Sequence, residues 1–314
     1  MRRLDIRRDL STSDIAQVRA LLEAAERADG HRPMSDHQWL DLAQGGREGF
    51  AGLMAVEPGH DHLVGYAQLS RGHGSWALEV VIHPHHRYDA AAIGPELLAA
   101  ATDLMAGEGG GHVHWWVFEP TSLHDDLARR FGLLPGRRLH QMRRPLPVEP
   151  ALDPPPRLVT RPFEVGVDDE AWLEVNNRAF HWHPEQGGWD LSTLKARQQE
   201  SWFDPAGFLM VDDIDQHGER TLVGFCWTKV HADAQAVMGE IYVIAVDPAA
   251  HGRGLGRALT LAGLDHLARV GTPVGMLFVD ADNTAAVGLY QSLGFEVVRT
   301  DRCYVGDLDG VRPT

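Results

Sequence analysis

The chain carries an internal repeat, and that feature limits what it can fold into more than any other. LVGYAQL at 63–69 returns as LVGFCWT at 222–228. VVIHP at 80–84 returns as IAVDP at 244–248, and LARRFGLL at 127–134 as LYQSLGFE at 289–296. The offset is roughly 160 residues, against about 20–50 for a solenoid, so the sequence predicts a duplicated domain. A length of 314 residues allows each copy a core of ordinary size. Between the copies lies PLPVEPALDPPP at 145–156, whose prolines remove N–H donors and favour extended backbone, which predicts a semi-rigid linker.

Periodicity supplies the elements. In the first half, helices are expected over 12–28, 36–44, 95–105 and 122–131, with strands at 63–70, 76–83 and 112–118. In the second half, helices over 168–180 and 190–202 precede strands at 208–212, 222–230 and 240–246. A glycine turn, a helix to about 270, a strand at 274–279, a helix over 283–293 and a C-terminal hairpin follow. Mixed order with hairpins at both ends predicts two similar α+β sandwiches, with domains at 1–145 and 157–314 and a linker at 146–156.

Composition excludes several classes. The net charge of −15 argues against wholesale binding of nucleic acid or anionic lipid. Two cysteines, Cys226 and Cys303, make no disulfide framework and fit a reducing cytosol. The opening MRRLDIRRDL has no apolar signal-peptide core, and no apolar run nears the ~20 residues of a membrane span, so a cytoplasmic protein is expected. Lys195 and Lys229 are the only lysines.

The most chemically loaded stretch is GEIYVIAVDPAAHGRGLG at 239–256, an apolar strand, a Val-Asp-Pro stop and a glycine turn entering the helix RALTLAGLDHLARV. Unpaired N–H groups at a helix start, backed by the macrodipole, form an anion site. The glycines run G-x-G-x-G at Gly252, Gly254 and Gly256, which fits neither the G-x-G-x-x-G of a Rossmann turn nor a P-loop.

This loop, followed by ADNTAAVGLYQSLGF at 281–295, resembles the GNAT acetyltransferase superfamily. The duplicated layout most resembles its mycothiol synthase family. The resemblance covers essentially the whole chain and implies tandem GNAT folds, each a mixed, mostly antiparallel sheet flanked by helices. It also implies acetyl-CoA as co-substrate and, as partner, the cysteinyl amine of desacetylmycothiol (cysteinyl-glucosaminyl-inositol); the sequence leaves the oligomeric state open, a monomer being one reading. It places the pyrophosphate at His251, Gly252, Arg253, Gly254, Leu255, Gly256 and Arg257, and the pantetheine along Ile244, Ala245 and Val246. Asn283, Thr284, Ala285, Ala286, Val287 and Gly288 would line the sulfur end. His251 departs from the Gln or Arg that usually opens such loops, yet a neutral imidazole still donates one hydrogen bond.

Glu240 at the strand start is implied as the base that frees the amine, and Tyr290 as the acid for the leaving thiolate. Asp36, Glu185, Lys229, Phe278 and Glu240 itself are the implied substrate contacts, Phe278 standing where the family can carry Tyr. Without the resemblance, each has an ordinary reading as a surface charge or a core aromatic. In the first copy, counting back from Pro84 puts Trp76 opposite Glu240, and Ala128 falls opposite Tyr290. The turn HHRYDAAAIG keeps only Gly94. The first domain is therefore expected to be catalytically silent, although the resemblance leaves Val80, Val81 and Ile82 as a possible second CoA contact. Neither His83, His85 and His86 nor His181 and His183 have cysteine partners or an i,i+4 helical pair, so no metal is expected. An acetyltransferase for another amine and a non-catalytic acyl-CoA sensor are the competing readings.

Overall fold

A computed structural model describes residues 2–72, 75–152, 158–181, 186–231 and 237–310, the side chains of Asp36 and His37 excepted. The chain forms two compact units, Met1–Leu139 with Arg299–Thr314, and His140–Val298.

Unit 1 is built from β1 (Arg3–Arg7), α1 (Thr12–Asp29), α2 (Asp36–Ala43), β2 (Phe50–Val56), β3 (Gly65–Arg71), β4 (Ser75–Ile82), α3 (Ala90–Gly107), β5 (Gly110–Val117), α4 (Ser122–Arg130) and the first half of β6 (Leu134–Pro145). Unit 2 takes the second half of β6, then β7 (Arg161–Pro162), α5 (Asp169–Ala179), α6 (Leu191–Gln198), β8 (Phe208–Ile214), β9 (Arg220–His231), β10 (Met238–Val246), α7 (Leu255–Arg269), β11 (Val274–Asp280) and α8 (Thr284–Ser292). The last strand, β12 (Glu296–Asp309), lies almost wholly in unit 1.

Three expectations change. The C-terminal hairpin is instead one strand, antiparallel to β5 from Arg302 opposite Val117 to Asp309 opposite Gly110. The units therefore divide at 139/140 and 298/299 rather than inside 146–156, of which 153–156 lie outside the described residues. Prolines report a local lack of donors, whereas membership of a unit is decided by pairing partners almost 200 residues away. Apolar packing reinforces this pairing: Tyr304 is fully buried against Trp115, ring centroids 5.4 Å apart, and its hydroxyl donates to Asp125 at 2.8 Å. The helix expected from Pro95 starts earlier, at Ala90, with the proline in its second turn.

Within each unit the pairs among β1–β5 and among β7–β11 are antiparallel except one parallel pair, β4 with β5 in unit 1 and β10 with β11 in unit 2. Both parallel pairs are short. β4 follows β5 only from Ser75 to Leu78, and β10 follows β11 only from Gly239 to Ile241. Beyond those points the strands part while β10 stays paired with β9 as far as Val246. In unit 2 the sheet separates two cores. Cys226, Ile241, Leu259, Leu264 and Leu277 pack on one face, and Trp172, Phe208, Phe225, Trp227 and Val243 on the other. Among the described residues, no helix is long and apolar enough to cross a membrane.

Candidate functional site

A bulge in β10 positions the site. Ile241 pairs with Thr228 and Val243 with Trp227, so Tyr242 is an extra residue against β9. Alternation resumes one step out of phase. Ile241, Ile244 and Val246 face the α7 side, while Tyr242, Val243 and Ala245 face the aromatic side. Because Asp247 N–H donates to Val223 on β9, the alternation of a strand turns the N–H and C=O groups of Ile244 and Val246 away from β9. Those groups border the gap where β11 has departed. This is the stretch expected along the pantetheine.

Glu240 and Lys229 are direct cross-strand partners, and His231 lies two residues from Lys229 on the same face. His231 Nε2 is 2.6 Å from Glu240 Oε2, with the carboxylate side chain only 9% exposed. Lys229 Nζ stands 4.7 Å from the Trp202 ring centroid and 5.4 Å from that of Tyr242, two cation–π contacts that hold a buried ammonium. His231, Trp202 and Tyr242 were absent from the sequence reading. A signal existed for His231, since WTKVH places it at strand spacing from Lys229.

The strand ends in a turn fixed by Asp247. One carboxylate oxygen accepts from Ala249 N–H at 2.9 Å, and the other from Arg178 at 2.7 and 2.9 Å. Burial works against ionising Asp247, but these bonds outweigh it and hold the carboxyl below its ordinary range. Gly252 and Gly254 follow with φ of 80° and 75°, conformations that glycine adopts without strain. A Cβ at either would meet no protein atom within 4 Å, so the loop surface is open. Gly254 is the N-cap of α7 and offers no side-chain bond to it, leaving the first-turn N–H groups at Leu255, Gly256 and Arg257 for an incoming anion.

The loop side chains are already engaged. His251 donates from Nε2 to the Val246 carbonyl at 3.2 Å, which engages the N–H on that ring nitrogen. Arg253 forms a bidentate pair with Asp213 at 2.6 and 2.7 Å, and Arg257 donates to the Leu152 carbonyl. What the loop leaves unengaged for an anion is its backbone N–H.

Tyr290 sits on α8 in the core beneath the α7 face, edge-on to Phe295. Burial, with Cys226 nearby, pushes its phenol up to about 12. Asn283 caps α8, its side chain accepting from Ala286 N–H at 3.2 Å. Thr284, Ala285 and Gly288 are exposed, Ala286 and Val287 half-buried. Phe278 on β11 is exposed. Asp36 opens α2, but its side chain and the whole of Glu185 lie outside the described residues.

Unit 1 has the same frame with different chemistry. Val80, Val81 and Ile82 end β4 beyond its parting from β5. Matching Lys229 to Ser70 through the repeat, Glu240 corresponds to Ala77, the partner of Ser70, and not to Trp76. The bulge at Tyr242, which β4 lacks, accounts for the one-residue error. Trp76 is buried and donates to the Gly110 carbonyl. Ala128, opposite Tyr290, is also buried. Gly94 is a packing glycine inside α3, whose Cβ would lie 3.0 Å from Leu127. Asp89, the N-cap of α3, is paired with Arg2 at 2.5 Å, which puts a carboxylate where an anion would dock.

Comparisons with known proteins point to one family. Residues 170–295 match the Acetyltransferase (GNAT) family. A mycothiol acetyltransferase of Acidimicrobium ferrooxidans is 46% identical, the match covering 90% of this chain and 91% of that one. That of Thermobispora bispora is 45% identical over 96% and 98%. Among solved structures, a tandem GNAT protein from the clavulanic acid biosynthesis pathway superposes with a TM-score of 0.71 at 17% identity, covering 99% of this chain and all of that one, which shows a shared fold.

Proposed function

The chain belongs to the mycothiol acetyltransferase family of GNAT acetyltransferases, and we propose that unit 2 holds its acetyl-transfer site, with Glu240 as base and Tyr290 at the leaving sulfur. The protein is an acetyltransferase of mycothiol biosynthesis, moving an acetyl group to the cysteinyl amine of desacetylmycothiol. Acetyl-CoA is the donor in this reading. Its pyrophosphate lies on the N–H groups of Gly252 to Arg257, and its pantetheine runs along Ile244 to Val246 in the gap left by β11. The observation that carries the reading is a carboxylate, Glu240, set on the last residues that β10 shares with β11, immediately before the bulge and the open strand edge.

An α-amino group has a reference pKa of about 7.7–8.0, so near neutral pH a large share is protonated and non-nucleophilic. Glu240 takes the proton as the amine attacks the thioester carbon, and His231 orients the carboxylate from behind. Strand-edge N–H groups polarise the carbonyl oxygen. The tetrahedral intermediate then expels the thiolate as the nitrogen gives up its second proton, which ends on the sulfur, giving the amide and the free CoA thiol.

The raised phenol pKa shapes the role of Tyr290. Full proton transfer from a group at about 12 to a thiolate whose acid is near 8.5 is uphill by roughly 5 kcal/mol. Tyr290 therefore acts as a hydrogen-bond donor that stabilises the departing sulfur and keeps its own proton. Unit 1, lacking base, phenol and open loop, supports the fold without chemistry of its own. The test is thiol release from acetyl-CoA with cysteinyl-glucosaminyl-inositol, with an aminoglycoside and with a peptide. Release with the first acceptor alone is expected, and equal rates with all three would overturn the assignment.

A further inference from the structure

We propose that unit 1 carries a transition-metal site formed by His60 and His62, between β2 and β3, and His86, in the 3-10 turn after β4. One ring nitrogen from each of the three lies within 4.8 Å of the others. His62 Nε2 and His86 Nε2 are 3.1 Å apart. Two imidazoles bound to one zinc ion at about 2.0–2.1 Å, at angles between roughly 90° and 110°, hold their nitrogens about 2.9–3.4 Å apart. That pair is already at ligating distance. His60 is exposed, so a side-chain rotation brings it in.

The atoms behind the ligands support the same reading. His86 is buried, and its Nδ1 has no hydrogen-bond partner. The nearest carboxylate oxygen, Glu57 Oε2, is 4.0 Å away. His62 Nδ1 lies 3.2 Å from Asp61 Oδ1. Both rings that meet through Nε2 thus turn Nδ1 toward a carboxylate, the arrangement in which a metal-bound histidine fixes its tautomer and gains basicity. A metal on His86 Nε2 puts the proton on Nδ1, where a shift of about 1 Å by the part-exposed Glu57 side chain completes a hydrogen bond that the orphaned atom now lacks.

Sequence spacing hides this set because its members come from two segments. The segments are joined by the register of β3 and β4, with Gly65 opposite Ile82 and His83 N–H donating to the Val64 carbonyl at 3.0 Å. Three imidazoles without thiolate suit Zn2+, Cu2+ or Ni2+, and a tetrahedral set with water in the fourth position suits Zn2+ best. The ion would staple the β2–β3 turn to the turn that, in unit 2, is the open glycine loop.

The full chain without an affinity tag, stripped with chelator, is titrated with Zn2+ by calorimetry. One equivalent at micromolar affinity or tighter is expected. His60→Ala/His62→Ala, both on a surface turn and so compatible with folding, abolishes it. Glu57→Gln weakens it about 10- to 100-fold. His112→Ala/His114→Ala, a separate ring pair on β5 with centroids 4.7 Å apart, leaves it unchanged. Co2+ in place of zinc gives the visible absorption of a tetrahedral centre in wild type only. No zinc equivalent in wild type, or one that persists in His60→Ala/His62→Ala, overturns the site.

Discussion

Removing His231 should cripple the enzyme only through Glu240, and the size of the loss follows from the geometry. The two side chains meet at 2.6 Å, the carboxylate 9% and the imidazole 18% exposed, so the bond is poorly screened by water. A hydrogen bond to a charged group contributes about 1.5–3 kcal/mol. At about 1.36 kcal/mol per decade, His231→Ala should lower kcat/KM by roughly 10- to 150-fold. His231→Gln, which keeps an N–H in reach, should recover part of that loss. Glu240→Gln removes the base altogether, a loss of about 10²- to 10⁴-fold. The decisive measurement is the double variant, assayed by thiol release at saturating acetyl-CoA. With Glu240 already gone, His231→Ala should change kcat/KM less than about twofold, because contacting residues are not additive. KM for acetyl-CoA should hold throughout. Additive losses in the double variant, or a His231→Ala enzyme with wild-type turnover, would refute the pairing as a catalytic arrangement.

Further outcomes follow from the same geometry. Tyr290→Phe should lower kcat about 10- to 150-fold, the value of a hydrogen bond to an anionic acceptor. Because burial holds the phenol at about 12, its proton stays in place and wild-type kcat should show no loss from Tyr290 ionisation below about pH 10. The same shift has a stability consequence. The folded pKa exceeds the unfolded value near 10, so the contribution is complete below pH 10 and about 3 kcal/mol is lost as pH rises toward 12. Thermal melts of Tyr290→Phe should therefore fall less steeply than wild type over that window. Gly254→Ala places a side chain at φ 75° on the open loop face, costing about 1–2 kcal/mol of strain, so it should raise KM for acetyl-CoA and lower Tm by a few degrees. Gly263→Val puts a Cβ 2.5 Å from the buried Cys226 sulfur and should lower Tm by overpacking worth about 1–3 kcal/mol.

The sequence by itself determined the duplication, most of the helices and strands around it, and the glycine loop with its flanking strand and helix. These are local matters: apolar spacing, left-handed glycines at Gly252 and Gly254, and an Asp-Pro turn that needs only its own neighbours. It overlooked strands β1, β2, β6 and β7, and it ended the chain in a hairpin. Tertiary structure alone decided that the last strand pairs with β5 and so belongs to unit 1, because such a pairing joins residues nearly 200 positions apart. The bulge at Tyr242 was likewise invisible, and it shifted the match of Glu240 from Trp76 to Ala77. His251 keeps its identity in the sequence but loses its free N–H to Val246 once the turn closes. His231 reaches Glu240, and His62 reaches His86, only because strand register brings separate segments side by side. Residue type sets what a side chain can do, and the register of distant strands decides what stands within reach of it.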